Sequence, residues 1–344
     1  MVIGREWFSR KIVPAALAAI LISTIPAPAL AQPSESLEAA ISATIAALEG
    51  DYAVSVRELA KEPRIADVDG DLAIEPASVI KLFFAWAALR ERDAGRLDLE
   101  QLLPSGESWI SCIRLMISVS DNDCSAEVRT ALGNERLNTL FADWGFTGTR
   151  ILLDDNGGYI GKTTTANDVT RLLVRLENGT LLSAESTEYL HRLLLRQVWR
   201  TRLASGVPEG VVVENKSGEY WVSGGWTQSD AGIVRGEATT YVITVFGRND
   251  ATRAGVAAIS RTVYEHLHGA SIVPAQFPDA QFTPIAPIAI RDTPGGQVIG
   301  TLAPGDQVVV ILSKRRWAEI ELPRNQRGWV TYSSLKLNDE YSWD

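Results

Sequence analysis

The chain has 344 residues, 46% of them hydrophobic and 22% charged, with a formal net charge of −9. That length accommodates one large domain and a small module, and the composition is that of a globular protein rather than a disordered or fibrous one. The acidic balance excludes a nucleic-acid binder, whose partner's phosphates demand basic surface, and excludes adhesion to anionic lipid by charge alone.

Residues 1–31 read as a signal peptide. Arg5, Arg10 and Lys11 supply a positive start, Ile12 to Ile25 is an uncharged apolar run, and Ala29-Leu30-Ala31 places small residues where a signal peptidase cuts. The run is shorter than the ~20 residues of a spanning helix, so cleavage is expected, with an uncleaved anchor as the alternative. Three bases and one acid leave with the leader, which takes the net charge to −11. The expectation is an exported, periplasmic or extracellular chain with no membrane contact after cleavage.

Residues 36–48 carry Leu37, Ile41, Ile45 and Leu48 at helical spacing and end at Gly50. Tyr52 to Leu59 alternates as a strand does, and a turn-rich stretch follows at Asp67 to Asp71. Ser78 opens a helix whose apolar positions are Ile80, Phe83, Phe84, Ala87 and Ala88. Residues 107–195 read as largely helical, interrupted at Asn156-Gly157-Gly158. Strands are expected at Val211 to Val213, Gly232 to Val234 and Tyr241 to Phe246, then a helix from Ala251 to His268. This order predicts an α+β fold, in which an antiparallel sheet closed by both termini packs against a helical region. Prolines at 274, 278, 284 and 287 punctuate a linker. Beyond it, short alternating runs at 297–302, 307–312 and 317–322 predict a small all-β barrel. The expected divisions are 1–31, 32–272, 273–284 and 285–344.

Cys112 and Cys124 are compatible with one disulfide or with two free thiols. On one continuous helix they would lie about 18 Å apart, beyond the ~7 Å reach of a bridge. A bridge therefore needs a chain reversal, which the polar stretch Ser118 to Asp123 can supply.

Three short motifs carry the chemistry: Ser78-Val79-Ile80-Lys81, Ser120-Asp121-Asn122 and Lys216-Ser217-Gly218. Each alone is weak, and Ser-x-x-Lys recurs at Ser333 to Lys336, where a surface strand end is expected. Together, with one at a helix start, one in a polar turn and one at a strand end, they are specific. A serine hydroxyl needs a nearby base, and a lysine three residues on shares its helical face. The first turn of a helix also offers free N–H groups to developing negative charge. Ser120 can relay a proton, Lys216 can attract a carboxylate, and Gly218 lets a strand come close to an acyl group.

These motifs resemble those of the class A β-lactamases and their penicillin-binding relatives. The context Glu75-Pro76-Ala77, the run Ser229-Asp230-Ala231-Gly232-Ile233-Val234 and Thr163-Thr164-Thr165 extend the likeness over about residues 35–270. The resemblance implies Ser78 as nucleophile, Lys81 as base and Ser120 as proton relay. It places Asn122 on the substrate amide, Lys216 and Ser217 on its carboxylate, and the N–H groups of Ser78 and Glu219 in an oxyanion hole. Arg235 and Arg248 are the arginines nearest the relevant strands. Class A enzymes deacylate through an omega-loop glutamate, but the matching stretch here, residues 149–158, has none. Asp154 and Asp155 are the candidate replacements, though acids beside Asn-Gly-Gly are usually turn formers.

The C-terminal segment resembles bacterial SH3-like domains at Ile290 to Pro294, Val298 to Leu302, Gly305, Trp317 and Gly328-Trp329-Val330. That likeness implies a module that binds cell-wall peptides, and Trp317 and Trp329 are expected in its core. Lys314-Arg315-Arg316 reads as a solvated hairpin. Trp221 and Trp226 are candidates either to line the cleft or to pack. The expected activity is acyl transfer from D-alanyl-D-alanine-type peptides of peptidoglycan through a Ser78 ester, with β-lactams as mimics. The alternatives are a β-lactamase with another deacylation base and a non-catalytic cell-wall sensor. His191, His266 and His268 lack metal-ligand spacing, and no metal or organic cofactor is implied.

Overall fold

The computed structural model describes Met1 and residues 36–277, 281–322, 324 and 326–337. The signal-peptide reading falls outside them. Among the described residues no helix is long and apolar enough to cross a membrane.

Ser36 caps α1 (Leu37–Ile45), its side chain accepting from the Ala39 N–H. Five strands form one antiparallel sheet: β1 (Asp51–Glu58), β2 (Ile65–Val68), β5 (Val212–Val222), β6 (Gly225–Arg235) and β7 (Thr240–Arg248), in the order β2-β1-β7-β6-β5. The first and last long strands are thus neighbours, with Asp51 opposite Arg248 and Glu58 opposite Tyr241. Alternation along the strands serves two cores. Val54, Val56, Ile243 and Val245 face α1 and α8 (Arg253–His268). Ala53, Ala231, Ile233, Val242 and Phe246 face the helical region on the other side. Burial on both faces explains why these strands read as near-continuous apolar runs.

At the centre of the helical region is α2 (Lys81–Asp93), buried from Lys81 through Leu89. A helix apolar all round belongs in a core, and Phe83 meets Phe141 and Phe146 edge-to-face at centroid distances of 5.3 and 5.2 Å. Around it lie α3 (Trp109–Arg114), α4 (Asn122–Leu132), α5 (Asn134–Asp143), α6 (Ala166–Glu177) and α7 (Ala184–Leu195). The predicted interruption at Asn156 to Gly158 is the turn of a hairpin, β3 (Arg150–Leu153) and β4 (Tyr159–Thr163).

Between α3 and α4 the chain makes a π turn, Leu115–Val119, and Ser120 then takes a left-handed φ of 65°. Asp121 caps α4 by accepting from the Cys124 N–H at 2.7 Å. This reversal brings Cys112 and Cys124 to a Cα separation of 4.9 Å, and they are disulfide-bonded. A loop of that length is worth about 3 kcal/mol against the reduced chain. Cys112→Ser with Cys124→Ser is therefore expected to lower the melting temperature by several degrees; an unchanged transition by circular dichroism would contradict it.

The segment after α8 is tied down, because Ala275 N–H donates to Val207 O at 2.7 Å and Phe277 packs on the sheet core. Seven short strands follow: β8 (Gln281–Pro284), β9 (Ile288–Arg291), β10 (Val298–Leu302), β11 (Val308–Lys314), β12 (Trp317–Leu322), β13 (Gln326–Thr331) and β14 (Leu335–Leu337). They form an antiparallel half-barrel in the order β10-β9-β13-β12-β11-β8-β14. Its interior is filled by Phe282, Val310, Ala318, Ile320, Val330 and Tyr332. Trp317 and Trp329 do not join them as expected. Alternation along β12 and β13 points Ala318, Ile320, Gly328 and Val330 inward, which leaves both tryptophans only partly buried, on the outer face. The basic turn is a hairpin with Lys314 and Arg316 exposed, as expected, but two of its side chains are paired. Arg315 Nη1 donates to Glu127 Oε2 at 2.8 Å, and Arg316 Nε to Glu107 Oε1 at 2.9 Å. These acids, the second of them buried, flank the Ser120 turn and supply the counter-charge that draws the hairpin in.

Candidate active site

Ser78 lies in a 3₁₀ turn, Ala77–Ile80, that runs into α2. Ala77 just before it has a left-handed φ of 49°, a conformation that costs a residue with a side chain about 1 kcal/mol or more. Lys81 Nζ is 2.9 Å from Ser78 Oγ, 2.7 Å from Ser120 O, 3.3 Å from Ser120 Oγ and 2.7 Å from Asn122 Oδ1. The helix, the left-handed turn and the start of α4 thus meet on one amine. Burial pushes that amine down to about 7, with the Lys162 charge adding and the Asp121 charge opposing.

Lys216 approaches from β5, its Nζ 3.0 Å from Ser120 Oγ and 2.6 Å from Ser217 O. It is fully buried, and burial followed by the Lys81 charge holds it well below the ordinary lysine range. Ser120 Oγ therefore sits between two amines, at least one of which can be neutral near pH 7. Asp230, opposite Ser217 in the ladder, is pushed up to about 6 by burial despite hydrogen bonds from Asn215 Nδ2.

Gly218 lies against the nucleophile: a Cβ there would stand 2.7 Å from Ser78 N and 3.0 Å from Ala77 Cβ. Neither neighbour is a flexible side-chain end, so a methyl must move the strand or the turn. Gly218→Ala is expected to keep the fold and lower the rate of Ser78 acylation about 10²-fold, the scale of one lost oxyanion donor; an unaltered rate in a stopped-flow assay would contradict the close approach.

The next residue, Glu219, accepts from Arg202 Nη2 at 2.6 Å and Arg253 Nη2 at 2.8 Å. Burial raises its carboxyl, but the two guanidinium groups outweigh that and hold it below the usual range. Arg202 is itself buried and also donates to Gln228 Oε1.

Two cavities open on Ser78. One of about 170 Å³ is bounded by Ser120, Trp199, Arg202 and Ser217. The other, of about 290 Å³, is bounded by Lys81, Asn122, Arg129, Tyr159, Lys162 and Tyr220. Among the described residues lining the two, Glu219 is the one acid.

Ser78, Lys81, Ser120, Asn122, Lys216, Ser217, Gly218 and Glu219 are thus all brought to one cleft. Asp154 and Asp155 are not among its lining residues. Asp154 closes its own turn, accepting from the Asn156 and Gly158 N–H groups at 2.9 and 2.7 Å. Arg235 and Arg248 are occupied elsewhere, the first by Glu177 and Glu214, the second by Asp51. Arg202 is the arginine on the Ser120 side of the cleft, and it precedes an irregular 3₁₀ turn, Leu203–Gly206, with no motif to mark it. Trp221 and Trp226 face each other across the β5–β6 hairpin, both exposed and outside both cavities.

The sequence model of the beta-lactamase enzyme family matches residues 36–267, more than half of the chain. The chain belongs to the beta-lactamase enzyme family. Among solved structures it is similar to PBP-A, at 23% identity and TM-score 0.61, over 68% of this chain and 96% of that one. A single-residue variant of PBP-A, captured as its acyl-enzyme complex with penicillin G, matches at 22% identity and TM-score 0.61, over 68% and 97% of the two chains. A class A beta-lactamase from Bacteroides cellulosilyticus DSM 14838 matches at 20% identity and TM-score 0.60, over 69% and 100%. At these identities the likeness concerns the fold. No curated protein sequence matches significantly. The stretch 149–158, which the sequence resemblance matched to the omega loop, lies in the hairpin β3–β4 and its turn.

Proposed function

We propose that the protein is a serine acyl-transfer enzyme acting on D-alanyl-D-alanine-type peptides of peptidoglycan, acylated by β-lactams as substrate mimics. The observation that carries this reading is the 2.9 Å approach of a buried, weakly basic Lys81 amine to Ser78 Oγ. The neutral amine accepts the Ser78 proton as Oγ attacks the carbonyl carbon. The oxyanion is met by the backbone N–H groups of Ser78 and Glu219, which the glycine at 218 allows to converge. As the bond to the departing amine breaks, Ser120 passes it a proton, resupplied across Lys81 and Lys216. Lys216, Ser217 and Arg202 hold the terminal carboxylate, and Asn122 the amide of the acyl part. Water or an acceptor amine then takes the acyl group from Ser78.

Deacylation is the slow step for a penicillin. Glu219, the one acid among the described residues lining the cleft, is held by two arginines and Asp154 by its own turn, so neither is free to activate water. This favours a peptidase of the penicillin-binding kind over an efficient β-lactamase. The disulfide accords with export, and the half-barrel is read as an SH3-like module serving the same cell-wall substrate. The test is release of D-alanine from diacetyl-L-lysyl-D-alanyl-D-alanine, expected from the protein and absent in Ser78→Ala. Release that survives this substitution sinks the reading.

A further inference from the structure

The smaller cavity beside Ser78 is not built by the family domain alone. Ile311, Leu312 and Ser313, from β11 of the half-barrel, share it with Ser120, Trp199 and Arg202. The hairpin is anchored on both neighbours of Ser120. Ser313 Oγ donates to Val119 O at 3.1 Å, and the backbone N–H of Arg315 donates to Asp121 Oδ2 at 2.5 Å. Asp121 uses its other oxygen to cap α4, so one carboxylate joins the hairpin, the Ser120 turn and the helix behind it. The ion pairs of Arg315 with Glu127 and Arg316 with Glu107 flank this contact, and Ser313 Oγ also meets Tyr332 Oη at 2.5 Å in the half-barrel core. A strand held at this many points is a fixed wall. Leu312 stands on it with 49% of its surface exposed.

We propose that the β11–β12 hairpin limits the departing part of the substrate to one small residue bearing a terminal carboxylate, with Leu312 as the specificity-determining side chain. The inference rests on the serine acyl-transfer reading. In that reaction the carbon–heteroatom bond to the departing residue breaks, a carbon–Oγ bond forms, and the proton lost by Ser78 reaches the departing atom through Ser120. The departing residue must therefore lie on the side of Ser120, Lys216 and Arg202, and that is the side β11 closes. The two cavities differ accordingly: about 170 Å³ on the departing side against about 290 Å³ on the Asn122 and Tyr220 side, where the acyl part lies. The enzyme thus trims a chain end, and longer or bulkier departing groups meet Leu312.

Two esters test this, diacetyl-L-lysyl-D-alanyl-D-lactate and the matching D-phenyllactate. They share the acyl part and the carboxylate and differ only in departing bulk. Hydroxy-acid release by the full chain is expected to favour D-lactate at least tenfold in kcat/KM. Leu312→Ala is expected to narrow that ratio several-fold, and Leu312→Trp to widen it. Penicillin labelling of Ser78 is followed on the same three proteins. Labelling with a ratio near one, or with a ratio that neither substitution moves, overturns the role of the hairpin and leaves the acyl-transfer reading standing. Absence of any Ser78-dependent labelling or release overturns both.

Discussion

Mixed with benzylpenicillin, the protein is expected to gain the full mass of the antibiotic and to keep it. Acylation opens the lactam without expelling a fragment, so intact-protein mass spectrometry reads the adduct directly, and Ser78→Ala is expected to show none. Persistence is the informative part. General-base activation of water contributes about 10²–10⁴-fold, and Glu219, the one acid among the described residues lining the cleft, is committed to Arg202 and Arg253. Hydrolysis of the adduct is therefore expected to be slower by about that factor than in an enzyme with a placed carboxylate. If the adduct vanished within seconds while penicilloate accumulated, another base would be at work. The cavity containing Lys162 and Tyr159 would then be the place to look.

The rate of that acylation is expected to rise with pH through about 7 and then level off. The sign follows from the role. Below that value Lys81 carries its proton and has no lone pair for the Ser78 hydroxyl; above it the amine is free to accept. The profile is set by burial, which disfavours the charged form, so it belongs to this site and not to lysine in general. Lys81→Met is expected to lose about 10²–10⁴-fold in acylation rate and the pH dependence with it. Lys81→Arg is expected to be equally inactive, since a guanidinium does not deprotonate in this range. A wild-type rate that is flat between pH 5 and 9 would remove Lys81 from the role of base.

The three motifs were legible because each is short and sits where local structure fixes its geometry: a helix start, a left-handed turn and a strand. That both ends of the domain close one antiparallel sheet was legible too, and β1 and β7 do pair. The length of β5 was not. Only Val211 to Val213 read as strand, yet the strand continues through Glu214, Asn215, Lys216 and Ser217, all buried. These residues have poor strand propensity and are held by partners distant in sequence: Glu214 by Arg235, Asn215 by Asp230 and Lys216 by Ser120, while Ser217 lines the cleft. Arg202 escaped notice for a related reason: its meaning lies in Glu219 and Gln228, neither of them local. The docking of Arg315 and Arg316 depends on acids about 190 to 210 residues away in the chain, a relation no periodicity reveals. The outward turn of Trp317 and Trp329 reflects strand register, which composition does not specify.

Ala77 and Ser120, the residue before the nucleophile and the relay itself, both stand in the left-handed region without being glycine. The rest of the fold supplies the free energy that keeps them there. Thermal robustness and competence therefore pull in opposite directions at these two positions. Directed evolution for heat tolerance alone would be drawn to them, because relaxing either backbone returns stability to the chain. Variants found that way would melt later and acylate more slowly, so any campaign to harden this protein has to select on Ser78 labelling as well as on survival.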